Sequence, residues 1–195
     1  ITETRTAPAR TLVLLKESAP VTAATLSSAA NQSFTVGQAA ATASTITVTD
    51  GSPAVITAAQ DIRIRIPAAL NMVWDTSVTS VTLGGGAAGK VSATGVTYED
   101  SNKTAVLDVT TNFAGSDQVT VAGLRFANFT AISSATSLQL IVAGAGGATA
   151  TTDDKTKTIV SVATLSSTAN QTFTVGQASV VASQLTVTNA SVPMI

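Results

Sequence analysis

The chain has 195 residues, 45% of them hydrophobic and only 11% charged, against about 25% charged in an average globular domain; this apolar content argues against intrinsic disorder and leaves solubility to Thr and Ser. A net charge of −1, with Lys and Arg scattered singly, gives no basic stripe for phosphates and argues against nucleic-acid binding. Without cysteine or histidine there are no disulfides, no thiolate or imidazole metal sites and no histidine base.

Residues 1–20 have no counterpart elsewhere in the chain. Their polar, Pro-containing start is followed by one strand-sized apolar run, Thr11-Leu12-Val13-Leu14-Leu15. Lys16-Glu17 follow at once, so the run is too short for a signal-peptide core, and no stretch of 18 apolar residues spans a membrane. Two readings stand: a linker carrying the last strand of a preceding domain, or a donor strand, Thr11 to Leu15, that docks on another subunit.

From residue 21 the pattern has period two. In Ser33-Phe34-Thr35-Val36 and Thr45-Ile46-Thr47-Val48-Thr49 the apolar side chains fall on one face and the hydroxyls on the other, which is the signature of a half-buried strand. Gln38 to Ser44 reads as loop or strand. In Asp61-Ile62-Arg63-Ile64-Arg65-Ile66 three isoleucines face inward and the charges outward, until Pro67 denies the ladder a donor. Further strands are expected near 71–74, 78–83, 91–98, 104–110, 117–122, 124–130 and 137–142, separated by Gly, Asn and Asp turns such as 99–102 and 115–117. Many short strands without intervening helices specify an all-β fold, an antiparallel sandwich. With 4% aromatic residues its core should be thin and built from small and β-branched side chains.

The chain then repeats itself. Residues 24–52 return at 163–191 with a constant offset of 139, no gap and 20 identities in 29 positions. The expected organisation is an N-terminal extension over 1–20, a complete repeat over 21–159 and the first part of a second over 160–195. That part cannot bury its own apolar face and is expected to be completed by another segment or subunit. Phe173, Val175, Leu185 and Val187 should take the places of Phe34, Val36, Ile46 and Val48.

Chemistry-bearing motifs are few. Gly84 to Lys90 fits the G-x-x-x-x-G-K spacing of a phosphate loop, but Val91 stands where Ser or Thr should hold magnesium and a strand-like VSATGVTY follows where a helix should open; it reads as a glycine loop. For calcium the paired acids Glu99-Asp100 and Asp153-Asp154 are the candidates, and neither supplies the several spaced oxygens that hard cations need; Asp153-Asp154, at the expected domain junction, is the weak candidate kept, the bland alternative being a solvated turn. No nucleophile–base arrangement is present. Trp74 reads as a core or sheet-face residue, and Tyr98 as packed at a strand end with a wet hydroxyl. Gly37 and Gly176, each closing an F-T-V-G-Q strand, mark turns. N-x-[ST] triplets stand at Asn31, Asn102, Asn128, Asn170 and Asn189; Asn31 and Asn170 are one position in the two copies, and glycans there would decorate an array periodically. No cofactor and no catalysis are implied.

At Phe34-Thr35-Val36-Gly37-Gln38, Thr45-Ile46-Thr47-Val48-Thr49-Asp50 and Asp61-Ile62-Arg63-Ile64-Arg65-Ile66-Pro67 the chain resembles the tandem immunoglobulin-like or cadherin-like repeats of very large prokaryotic extracellular proteins, among them adhesins, surface-layer proteins and filament subunits. The resemblance implies an immunoglobulin-like β-sandwich with a mechanical or adhesive role. The leading expectation is a structural subunit of an extracellular filament, sheath or surface array whose partners are copies of itself. The alternatives are an adhesin stalk with its ligand-binding domain elsewhere and, more weakly, an accessory domain of a carbohydrate-active enzyme. A cysteine-free, Thr/Ser-rich chain points to the cell surface.

Overall fold

In the computed structural model, residues 21–188 are described; Thr11 to Leu15 and Asn189 lie outside them. Within the first repeat the strands are β1 (Thr25–Ser28), β2 (Gln32–Thr35), β3 (Ala41–Thr42), β4 (Ile46–Thr49), β5 (Ile62–Arg65), β6 (Val73–Trp74), β7 (Thr82–Gly84), β8 (Thr97–Glu99), β9 (Thr104–Leu107), β10 (Gln118–Ala122), β11 (Arg125–Ala127), β12 (Ser133–Ile141) and β13 (Thr151–Val160). A 3-10 turn over Ala88–Lys90 is the one helical segment among the described residues.

These strands form an all-β sandwich. One layer is the sheet β1-β4-β10-β7, extended by a small sheet β3-β11-β6; the other is the six-stranded sheet β2-β13-β12-β5-β9-β8. Leu26, Ile46, Val48, Val119 and Val121 from the first layer and Phe34, Ile62, Ile64, Leu138, Leu140 and Ile159 from the second share one buried cluster. Period-two alternation creates this arrangement, since every second residue of a strand points to the same face. Phe34, Ile46, Val48, Ile62, Ile64 and Ile66 lie in the core as expected, while Val36 is half-buried at its margin. Four of the aromatics form one cluster in the core. There Trp74 stacks on Phe126 at 4.6 Å, Phe126 meets Phe34 edge-on at 5.4 Å and Phe34 stacks on Phe129 at 4.8 Å. Trp74 Nε1 donates to the Ile64 carbonyl at 3.0 Å, so burying the indole leaves no unpaired donor.

Three readings need correction. The strand expected over 91–98 is confined to Thr97–Glu99, with Val91 and Thr94 making only single bridges to Val109 and Ser80. Arg63 does not stand in water: it is buried, with its guanidinium forked onto Glu99 of β8 at 3.0 and 3.1 Å and onto the Gln60 carbonyl. Most consequentially, β13 occupies residues read as a domain junction. It is the longest strand described, antiparallel to β12 and parallel to β2. Its inward positions Asp153, Lys157 and Ile159 are all buried. Two of the three are charged, and the apolar alternation that would reveal a strand is therefore missing.

The second copy forms a two-stranded antiparallel ladder, β14 (Thr164–Ser167) with β15 (Leu185–Thr188). Its register, Thr164↔Thr188 through Ser167↔Leu185, is that of β1 with β4, Thr25↔Thr49 through Ser28↔Ile46, moved by the repeat offset.

Candidate functional site

Equivalent residues in the two copies share a local structure and differ in what covers them. In the first copy Gln32 clamps its loop: Nε2 donates to the Thr42 carbonyl at 3.0 Å and Oε1 accepts from the Ser44 amide at 2.9 Å. In the second, Gln171 does the same with Val181 at 3.0 Å and Ser183 at 2.6 Å. The Gln38 side chain accepts from the amide and hydroxyl of Thr35 at 2.6 and 3.1 Å, and Gln177 from those of Thr174 at the same distances. Gly37 and Gly176 have φ of 78° and 79°, a left-handed turn that a side chain would oppose. The 29-residue unit thus specifies its own backbone through polar side chains reaching their own turns.

What covers that backbone is supplied by the rest of the repeat. In the first copy β10 pairs with the outer edge of β4, Val119 facing Val48 and Val121 facing Ile46. β13 runs beside β2, and Val160 O accepts from the Val36 amide at 2.9 Å. Phe126 and Phe129 close over Phe34. None of these has a counterpart on the second copy among the described residues. Phe34 is 4% exposed and its counterpart Phe173 is 59% exposed; Leu26 and Val48, at 3% and 0%, become Leu165 and Val187 at 68% and 72%. Val175 and Leu185 are exposed as well. The second copy repeats the β1–β4 ladder, the glutamine clamps and the glycine turn of the first but not its burial, and the counterparts of β2 and β3 at 171–174 and 180–181 form no strand. Its open apolar face, together with the unpaired edge of β15, is the candidate site.

The first copy also shows how such a face is closed with polar groups. The buried Asp153 carboxylate of β13 accepts from the Ser28 amide at 2.7 Å, the Ser28 hydroxyl at 2.5 Å, the Lys155 amide at 3.1 Å and Lys157 Nζ at 3.3 Å. Burial pushes the Lys157 ammonium below the ordinary lysine value, and Asp153 pulls it back up. Asn31 Oδ1 accepts from the Thr156 amide at 2.9 Å, another tie between the unit and β13. Ser167 and Asn170 are the corresponding residues of the second copy, both exposed.

Asp153 and Asp154 do not form a solvated turn; they lie within β13, at an irregularity in its register with β12. Asp153 is buried with four donors on its carboxylate, whereas Asp154 is exposed and pairs with Lys155 at 2.7 Å, the contact that brings its carboxyl down to about 2. Among the described residues no three of His, Cys, Asp and Glu come together. Tyr98 is not wet at its hydroxyl, which donates to the Val78 carbonyl at 2.6 Å; burial first, then the nearby Asp75 charge, pushes its pKa up to about 12. Lys90, at the end of the glycine loop, is held by Asp117 at 2.7 Å and the Asn112 carbonyl at 3.2 Å. An open depression of about 380 Å³ is lined by Arg63, Arg65, Glu99 and Lys103. Its cations are committed: Arg65 donates to Gln139 and Thr149, and Lys103 to the carbonyls of Leu70 and Met72. Asn31, Asn102, Asn128 and Asn170, the N-x-[ST] asparagines among the described residues, are all exposed.

No family model and no curated protein matches the sequence. No helix among the described residues is long and apolar enough to cross a membrane.

Proposed function

We propose that this chain is a structural subunit of an extracellular filament, sheath or surface array, built from β-sandwich repeats of the immunoglobulin-like kind and joined by exchange or addition of β-strands between repeats. One observation carries the reading: the same 29-residue unit, with the same register and side-chain clamps, is buried in one copy and open in the other. An ordered apolar face of this kind is a place for association, and an unpaired strand edge is a template for another strand. The neutral, Thr/Ser-rich surface fits a packing material better than a site for charged ligands. Thr11 to Leu15 is the segment assigned as donor, and the exposed asparagines are positions for surface glycans.

Electron microscopy of purified protein, with an intact mass on the same sample, tests the reading. Fibres or sheets built of subunits of this size are expected, and removing residues 1–20 should leave monomers or short oligomers. A single long chain carrying many 139-residue units would instead make it the stalk of an adhesin. Protein that stays monomeric at every concentration would sink both.

A further inference from the structure

The open edge of β15 has a definable partner. In the first copy the Ala29 amide donates to the Thr45 carbonyl, so residues 45, 47 and 49 of that strand direct their backbone groups to β1. Residues 46 and 48 direct theirs to β10, a ladder continued by the Asp50 amide on the Asp117 carbonyl. The Thr168 amide donates to the Gln184 carbonyl in the same way. Thr186 and Thr188 therefore face β14, and the backbone N–H and C=O of Leu185 and Val187 point outward, to no acceptor or donor among the described residues.

We propose that this edge is taken by β15 of a second copy of this chain, antiparallel about a two-fold axis at Thr186, with Leu185 opposite Val187 of the second copy on either side. The inference rests on the reading of the chain as a self-assembling subunit and fixes one of its contacts; with the β15 edge taken, the donor segment Thr11 to Leu15 is left to another part of the open face. Three observations select the occupant. First, β10 presents Val119-Thr120-Val121 to Ile46-Thr47-Val48 of β4, and β15 carries the same alternation in Leu185-Thr186-Val187, so one β15 can play β10 to another. The Leu185↔Val187 pairs carry the hydrogen bonds, and the two threonines form the close, unbonded pair between them. Second, the β10 of the first repeat is already held between β4 and β7, whereas the β15 edge of a second copy is open among the described residues. Third, residues 163–188 contain no Asp, Glu, Lys, Arg or Pro, the residues with which exposed edges are ordinarily guarded against pairing with their like. Two identical edges meet here without repulsion.

Cysteine cross-linking tests the register, since the chain has no cysteine of its own. Across the axis the two Thr186 Cα atoms stand about 4.5 Å apart, within disulfide reach. The two Thr188 positions fall four residues out of register, about 13 Å apart, beyond reach. Thr186→Cys should give a disulfide-linked dimer on mild oxidation and Thr188→Cys should not. Val187→Pro, which removes an outward N–H and leaves the β14 ladder intact, should abolish the cross-link when combined with Thr186→Cys, with the sandwich still folded. Equal cross-linking at 186 and 188 would overturn the register. If Thr186→Cys fails to cross-link while the chain still polymerises through residues 1–20, this contact is wrong and the assembly reading stands. If every variant and the parent are monomeric, both fall.

Discussion

Asp153 and Lys157 replace two apolar residues in the middle of a sandwich layer, and their energetics follow from that position. Both side chains are fully buried, so removing one partner leaves an uncompensated charge out of water, a loss of about 3–5 kcal/mol. Asp153→Ala should therefore lower the urea midpoint of the sandwich sharply. Asp153→Val combined with Lys157→Met should recover more than half of the loss, because a buried pair replaced by apolar residues of similar volume is often neutral. Equal losses for the single and double variants would show that the carboxylate acts through Ser28 alone. Tyr98 gives a pH signature. Its phenol ionises near pH 10 unfolded and at about 12 folded, so the unfolded chain releases its proton first and stability falls as pH rises from 10 to 12. Lys103 and Lys157, held below their ordinary value, act in the opposite sense up to the normal lysine range. The difference between parent and Tyr98→Phe isolates the tyrosine: the variant should lose less stability than the parent between pH 10 and pH 12 in denaturant titrations.

At the scale of elements, what could be read from the residues depended on whether they carried apolar periodicity. β4 and β5 were legible because Ile46-Thr47-Val48 and Ile62-Arg63-Ile64 alternate. β13 was not, because Asp153 and Lys157 occupy its inward positions and only Ile159 shows its face. The open edge of β15 followed from the repeat, but the polar clamp of Ser28 by Asp153 joins residues 125 apart and has no local signal. The turn between β8 and β9 was expected at Glu99 to Asn102, yet its geometry was hidden. Asp100, Ser101 and Asn102 all have positive φ, 54°, 54° and 67°, without a glycine among them. A side chain in the left-handed region costs roughly 1–2 kcal/mol, partly offset here by Thr104 Oγ1 donating to Asp100 Oδ2 at 2.6 Å and by the Asn102 carbonyl accepting from the Trp74 amide at 2.9 Å. Ser101 has neither of these contacts. Ser101→Gly should stabilise the sandwich by about 0.5–1 kcal/mol after the added entropy of the unfolded chain is subtracted. Thermal unfolding checks this, and an unchanged or lowered midpoint would mean the turn is not under strain.

At the scale of the whole molecule, the two copies form an internal control in which one sequence unit sits in two environments. Stability in a sandwich comes from apolar surface removed from water by both layers, and the second copy has one layer among the described residues. Phe34 and Phe173 are the sharpest pair for testing this, being the same position with 4% and 59% exposure. Phe34→Ala removes a ring stacked on Phe129 and edge-on to Phe126, and truncating a buried Phe costs about 3–5 kcal/mol. Phe173→Ala removes a ring with no such neighbours among the described residues and should leave the unfolding midpoint of dilute, monomeric protein within experimental error. The asymmetry should disappear when the protein assembles. If association covers the second copy as residues 53–160 cover the first, Phe173→Ala will lower the midpoint of the assembled material, while Phe34→Ala lowers it in both states. Calorimetry of dilute and assembled samples of the two variants separates the cases. A Phe173→Ala midpoint that never moves would show that assembly, if it occurs, leaves this face in water and uses the strand edge alone.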